Sequence, residues 1–313
     1  MAFQIGKIEQ DASYLLADLL ELLVAMGADG RKNYSPADMF SILTGTPGIG
    51  NFSDPQLKQE IDDAFLDIDY RQKRFGPAYP FSLKKNLLSK KTTQSPGARI
   101  YILLLATSRL KSFKNNLRSK WATTFARISR ECLSQMMPDN ADVRIFDANS
   151  DDRRNYYGTN LRNALQKLGD DLRVTHKDDV EIGRHHHAGD AGIDLVGIVS
   201  MDDHVEGAFA VLGQCAAQQT NWPEKRFEAS PLSFKGVFSF LVDPFAALFI
   251  PVAYRDTSGS WLSKRPVSGV LVVDRLRFFL LLGRKMRTSI AAKQWFTDFE
   301  AQFSKVANAF AKV

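Results

Sequence analysis

The sequence predicts an α/β (α+β) chain, helical over residues 1–112 and built on a mixed β-sheet flanked by helices over residues 113–313. Three observations carry that expectation. Apolar residues recur at helical spacing from Leu15 to Met26. Residues 193–199 and 209–215 are short apolar runs joined by the turn-rich segment 201–207, the pattern of a hairpin. Residues 267–274 are rich in β-branched side chains. The second part then reads helix, hairpin, helix, strand, strand, helix, an order that suits helices layered on a mixed sheet.

Taken in order, the first helix ends at Gly27 and the turn-rich Asp29-Gly30. Ser35-Pro36-Ala37-Asp38 is a helix start, with Ser35 as N-cap and Pro36 at the first helical position. Residues 44–55 read as loop, 56–70 as helix, and Gly76-Pro77-Ala78-Tyr79-Pro80 as a break. A basic polar stretch, 84–97, precedes an apolar helix over 98–110. A basic helix follows, carrying Arg109, Lys111, Lys114, Arg118 and Lys120. Residues 121–137 continue as helix, 142–146 are extended, and 160–172 are helix. Residues 232–241 could be helix, 247–254 and 267–274 are strands, and 288–311 form one amphipathic helix.

At 313 residues the chain can hold one large core or two ordinary ones. Its 44% hydrophobic and 24% charged residues are those of a globular protein rather than a disordered one. The net charge of +6 fits a polyanionic partner, although many basic proteins have none. Two cysteines, Cys132 and Cys215, lie in no disulfide framework or zinc spacing, which suggests a reducing, cytoplasmic setting. The start lacks a secretory pattern. The apolar runs at 100–106 and 278–282 fall short of the roughly 20 residues a membrane span needs, so no membrane partner is expected. No phosphate-binding Gly-x-x-x-x-Gly-Lys-[Ser/Thr] loop occurs, so the chain does not power DNA movement itself through that motif.

The chemistry-bearing feature is Gly189-Asp190-Ala191-Gly192-Ile193-Asp194-Leu195, followed on the next strand by Gly213-Gln214-Cys215-Ala216. Metal-dependent phosphodiester cleavage needs oxygen ligands for Mg²⁺, and a nearby cation helps to offset developing charge. Asp194 and Gln214 could converge at one end of the hairpin. Asp190 is either a second carboxylate or a turn residue. Glycines 189, 192 and 213 would leave room for a phosphate backbone. Each residue also has a plainer role: Asp194 as a turn cap, Glu131 as a helix-surface acid, Trp222 as packing, and the basic cluster as a solvated face. Arg184-His185-His186-His187 completes no metal-ligand spacing, and we read it as a loop where Arg184 could touch phosphate.

These residues resemble the catalytic core of the Mrr-like branch of the PD-(D/E)XK restriction endonuclease superfamily. The resemblance covers residues 189–216 by motif and about 119–275 by element order. It implies a Mg²⁺- or Mn²⁺-dependent endonuclease cleaving DNA, read as double-stranded, in defence against phage or foreign DNA. Asp194 would be the main metal ligand, Gln214 the second, and Glu131 the glutamate such enzymes take from the first helix. The departure is Ala216, where the pattern has lysine. Lys225, in Asn221-Trp222-Pro223-Glu224-Lys225, is the expected replacement, with Lys235 and Arg226 as poorer ones. The rival expectation is a non-catalytic nucleic-acid-binding or adaptor subunit. Lys111, Lys114, Arg118, Lys120, Arg184 and Trp222 are the expected nucleic-acid contacts. The helical first part is the expected docking region for a helicase or ATPase chain, and a homodimer is compatible with the sequence.

Overall fold

A computed structural model describes residues 3–176, 191–201 and 203–311. The first part is indeed mainly helical: α1 (Ser13–Met26), α2 (Pro36–Thr44), α3 (Asp54–Phe75) and α4 (Pro96–Ser108). α1 is buried on all sides from Leu15 onward, which explains its nearly unbroken leucines. Gly27 closes it in the left-handed region, at φ 69°. Ser35 and Asp38 form a reciprocal capping box at the start of α2.

The basic polar stretch 84–97, to which local pattern assigns no element, begins inside regular structure. β2 (Phe81–Lys84) and β3 (Leu87–Lys90) form a hairpin, which β1 (Asn33–Tyr34) extends to a three-stranded antiparallel sheet. Lys85 and Asn86 make the turn at φ 50° and 58°. A lysine in that position hides the usual glycine-bearing turn signal.

α5 (Asn115–Ser134) crosses one face of a five-stranded sheet. Its strands are β4 (Ala141–Ile145), β6 (Leu195–Val199), β7 (Phe209–Cys215), β9 (Phe245–Phe249) and β10 (Leu271–Val273), in the order β10-β9-β7-β6-β4. β4, β6 and β7 run antiparallel, whereas β7, β9 and β10 run parallel, giving the mixed sheet expected. The hairpin register pairs Leu195 with Gly213. α6 (Leu161–Asp171) covers the other face, with Leu161, Leu165 and Leu168 against Val196 and Leu212. β5 (Thr175–His176) and β8 (Phe238–Ser239) make a small separate pair, so residues 232–241 are not one helix but a short 3-10 turn ending at Phe234 followed by a strand. α7 (Arg275–Leu281) follows β10, and the expected helix 288–311 is divided between α8 (Arg284–Ala291) and α9 (Gln294–Phe310). No helix among the described residues is long and apolar enough to cross a membrane.

The boundary expected at residue 112 falls inside a continuous core. One cluster runs from Leu19, Leu23 and Ile68 through Trp121 and Phe125 to Leu195, Phe249, Phe278 and Phe303. A fully buried ion network crosses the same boundary. Asp18 accepts from Arg71 Nη1 at 2.8 Å, from Arg275 Nη1 and Nη2 at 2.9 and 2.7 Å, and from Ser108 Oγ at 2.7 Å. Glu21 accepts from the hydroxyls of Tyr79 and Tyr101 at 2.6 and 2.8 Å. Burial opposes ionisation of Asp18, yet the guanidiniums of Arg275 and Arg71 hold its carboxyl below the usual aspartate range.

Candidate functional site

Asp194 directly precedes β6, and its backbone is tied to both neighbouring strands. Its N–H donates to the Gly213 carbonyl at 2.9 Å, and its carbonyl accepts from Phe146 N–H at 2.7 Å. One carboxylate oxygen accepts from the Cys215 N–H at 2.6 Å, a short charge-assisted bond that holds the side chain at the end of β7. Asp194 is only 7% exposed. It opens into a cavity of about 390 Å³ between the sheet and α5. Asp147 and Asn149, just past β4, line the same cavity, as do Cys215, Ser119, Lys120 and Thr123. An Asx turn, in which Asp147 accepts from Asn149 N–H at 2.7 Å, fixes that loop.

Asp194 and the exposed Lys120 therefore line one cavity, together with Asp147 and Asn149, which local pattern assigns only to a polar loop. The available signal was position: Asp147 follows the extended segment 142–146 directly. Burial, then the neighbouring Asp194 charge, pushes the Cys215 thiol well above its ordinary range, so it is no nucleophile.

Other expected site residues lie elsewhere. Gln214 points away from the cavity, sharing its face of β7 with Leu212 and Ala216, opposite to Cys215. Its Oε1 is buried and has no hydrogen-bond partner among the described residues. Ala216 is 2% exposed, packed with Trp222, Leu248 and Ile250. A lysine there would enter an apolar core, which accounts for the alanine in this chain. Lys225, the expected replacement, gives its ammonium to Glu228, at 2.7 Å from Oε1 and 2.9 Å from Oε2, and does not line the Asp194 cavity.

Glu131 lines a different cavity of about 440 Å³, where it pairs with Lys293 at 2.7 Å and Arg130 at 3.2 Å. The two cavities meet at Thr123. Trp222 is 1% exposed with its ring 4.8 Å from that of Tyr254, so it packs in the core and cannot stack on a base. Arg118 spends its guanidinium on the backbone carbonyls of Phe113 and Lys111. Lys111 and Lys114 are exposed. Lys235 lies 3.8 Å from Asp243. Asp190, Arg184 and His185–His187 lie outside the described residues, as does Gly189.

Gly192 and Gly213 do not serve to clear space for phosphate. A Cβ on Gly213 would sit 3.0 Å from Leu195 Cβ and 3.2 Å from Phe249 Cε2. A Cβ on Gly192, at φ 84°, would lie 2.9 Å from Glu228 Cβ. Both glycines are required by packing, and Gly192 also by its left-handed backbone. Among the described residues, no group of three or more His, Cys, Asp or Glu side chains is placed to hold a metal ion. No family model, curated protein or solved structure matches the chain.

Proposed function

We propose that this chain is a Mg²⁺- or Mn²⁺-dependent nuclease of the PD-(D/E)XK type that cleaves DNA, serving in defence against foreign DNA. The observation that carries the reading is that Asp194, Asp147 and Lys120 line one cavity at the end of the central strand pair. The donors present fit a hard divalent cation. Two carboxylates and the Asn149 amide are oxygen ligands, and Mg²⁺ characteristically completes its shell with water and substrate phosphate rather than with further side chains. A cation bound there would polarise a phosphate oxygen and lower the pKa of an attacking water. The chain's own residues do the positioning. Cys215 N–H orients the Asp194 carboxylate, the Asn149 N–H orients Asp147, and Lys120 supplies the positive charge that the motif position at Ala216 lacks. A plasmid-nicking assay with Mg²⁺ or Mn²⁺ tests this reading. Cleavage that persists unchanged in Asp194→Asn would sink it.

A second reading is a DNA-binding subunit without turnover, alone or with a helicase or ATPase chain. The closed Lys225–Glu228 pair and the apolar surroundings of Ala216 favour it. It predicts salt-dependent DNA binding with no cleavage under any metal condition.

A further inference from the structure

The loops at the C-terminal ends of β7, β9 and β10, the end of the sheet at which Asp194 also lies, gather basic side chains. Lys225 and Arg226 lie on the turn 222–227, Arg255, Lys264 and Arg265 on the loop after β9, and Arg277 on α7. Glu228 neutralises Lys225, and Asp274 neutralises Arg255. Arg226, Lys264, Arg265 and Arg277 form no ion pair among the described residues. The nearby Asp256 is turned into its own loop, where it accepts from Ser258 N–H at 2.9 Å and Ser260 N–H at 3.0 Å.

The two loops are locked together. Arg226 Nη1 donates to the Arg265 carbonyl at 2.6 Å, while Arg226 Nε is buried with no partner among the described residues. Arg255 and Arg277 share one ring, their guanidinium carbons 3.5 and 4.8 Å from the Trp261 centroid. Burial, then the neighbouring Arg255, lowers the proton affinity of Arg277. Asp274, buried beside both, offsets this close pair of like charges, so the unneutralised charge of the surface rests on Arg226, Lys264 and Arg265. The surface also has a direction. Glu228, at the end of the 222–227 turn, packs against Gly192, two residues before Asp194.

We propose that this surface grips the phosphodiester backbone of the DNA leading to Asp194, with Arg226, Lys264 and Arg265 as its phosphate contacts. The proposal rests on the nucleic-acid reading above, but not on catalysis. Trp261 serves as the platform that fixes Arg255 and Arg277 beneath the strand.

The experiment uses the full chain carrying Asp194→Asn, without Mg²⁺, and a short labelled DNA duplex followed by fluorescence anisotropy between about 50 and 200 mM salt. The triple variant Arg226→Gln, Lys264→Gln, Arg265→Gln should weaken binding by about tenfold or more. It should also reduce the slope of log affinity against log salt by about 3, near 0.9 for each phosphate no longer neutralised. A control triple, Lys32→Gln, Lys84→Gln, Lys85→Gln, removes the same charge from exposed positions on and beside the β1–β3 sheet. It should change affinity less than about twofold, since salt screens distant charges. The double variant Lys264→Glu, Arg265→Glu leaves the Arg226 side chain in place and guards against misfolding of the triple. Equal losses in both triples, or no loss in the first and in the double variant, would overturn the proposal while leaving nucleic-acid binding intact. Failure of the parent to bind duplex even at the lowest salt would overturn it together with the nucleic-acid reading. Tighter binding of single-stranded RNA than of duplex would overturn the choice of partner.

Discussion

Replacing Arg275 by alanine should destabilise the molecule as a whole, because the buried ion network it completes lies in a core common to both halves. Arg275 is fully buried and donates to Asp18 Oδ1 at 2.9 Å, to Asp18 Oδ2 at 2.7 Å, to the Pro251 carbonyl at 2.7 Å and to Tyr101 Oη at 3.2 Å. Its removal leaves the carboxylates of Asp18 and Glu21 with Arg71 as the remaining buried cation paired with them. Breaking a buried pair from one side characteristically costs about 3–5 kcal/mol, because the partner charge stays buried and uncompensated. That is a large fraction of the roughly 5–15 kcal/mol by which a domain is stable. Urea unfolding monitored by tryptophan fluorescence and by far-ultraviolet circular dichroism measures it. The wild type should unfold in one transition seen alike by both probes, because one core runs through both halves. A destabilisation under about 1 kcal/mol, well short of that range, or a wild type unfolding in two steps, would refute the reasoning.

The same variant carries a pH signature whose sign follows from Asp18. The folded-state carboxyl is held below its ordinary 3.8 by Arg275 and Arg71 against the opposing effect of burial. Its contribution to stability is therefore fully present above the unfolded value and fades as pH falls through the folded one. The stability gap between wild type and Arg275→Ala should be full near neutral pH and narrow as acid protonates Asp18 in the wild type, below about 4.

Three further outcomes follow from the site. Asp194→Asn should abolish metal-dependent plasmid nicking, by about 100-fold or more, with the fold retained by circular dichroism. Lys120→Ala should lower the cleavage rate by about 100-fold with duplex affinity within about threefold, whereas Lys225→Ala should cost less than about threefold in rate. The reverse ranking would return the missing cation to Lys225. Gly192→Ala should destabilise the chain by about 2 kcal/mol or more in urea unfolding, since φ is 84° and the new Cβ meets Glu228 at 2.9 Å. An unchanged midpoint would show that this turn relaxes freely.

What was legible in the sequence was what one periodicity or one turn dictates. The leucines of α1, the cap at Ser35, and the alternation in the 193–215 hairpin each specify local structure, and each element is found where expected. The β2–β3 hairpin was hidden because Lys85 and Asn86 adopt left-handed backbone without a glycine. The break in the tail was hidden because Ala292 and Lys293, which separate α8 from α9, include no proline or glycine to mark it. The division at residue 112 failed for a different reason. Composition changes there, but the partners of Asp18 come from Arg71, Ser108 and Arg275, and such long-range pairing leaves no trace in local pattern.

The misplaced lysine shows the same limit at the site. Spacing places Lys225 shortly after the hairpin, and the turn it lies on packs against Gly192 through Glu228. Proximity along the chain nevertheless does not decide where an ammonium points. A carboxylate three residues away on the same turn offers Lys225 contacts of 2.7 and 2.9 Å. Holding the long lysine side chain there costs little more entropy than holding it anywhere else. Lys120 comes from the helix that crosses the sheet beside Asp194, so it lines the cavity from the opposite side. A cation reaches a strand-end carboxylate most readily from the element packed over that strand. In this fold that element is α5, which precedes in the chain both strands of the motif it completes.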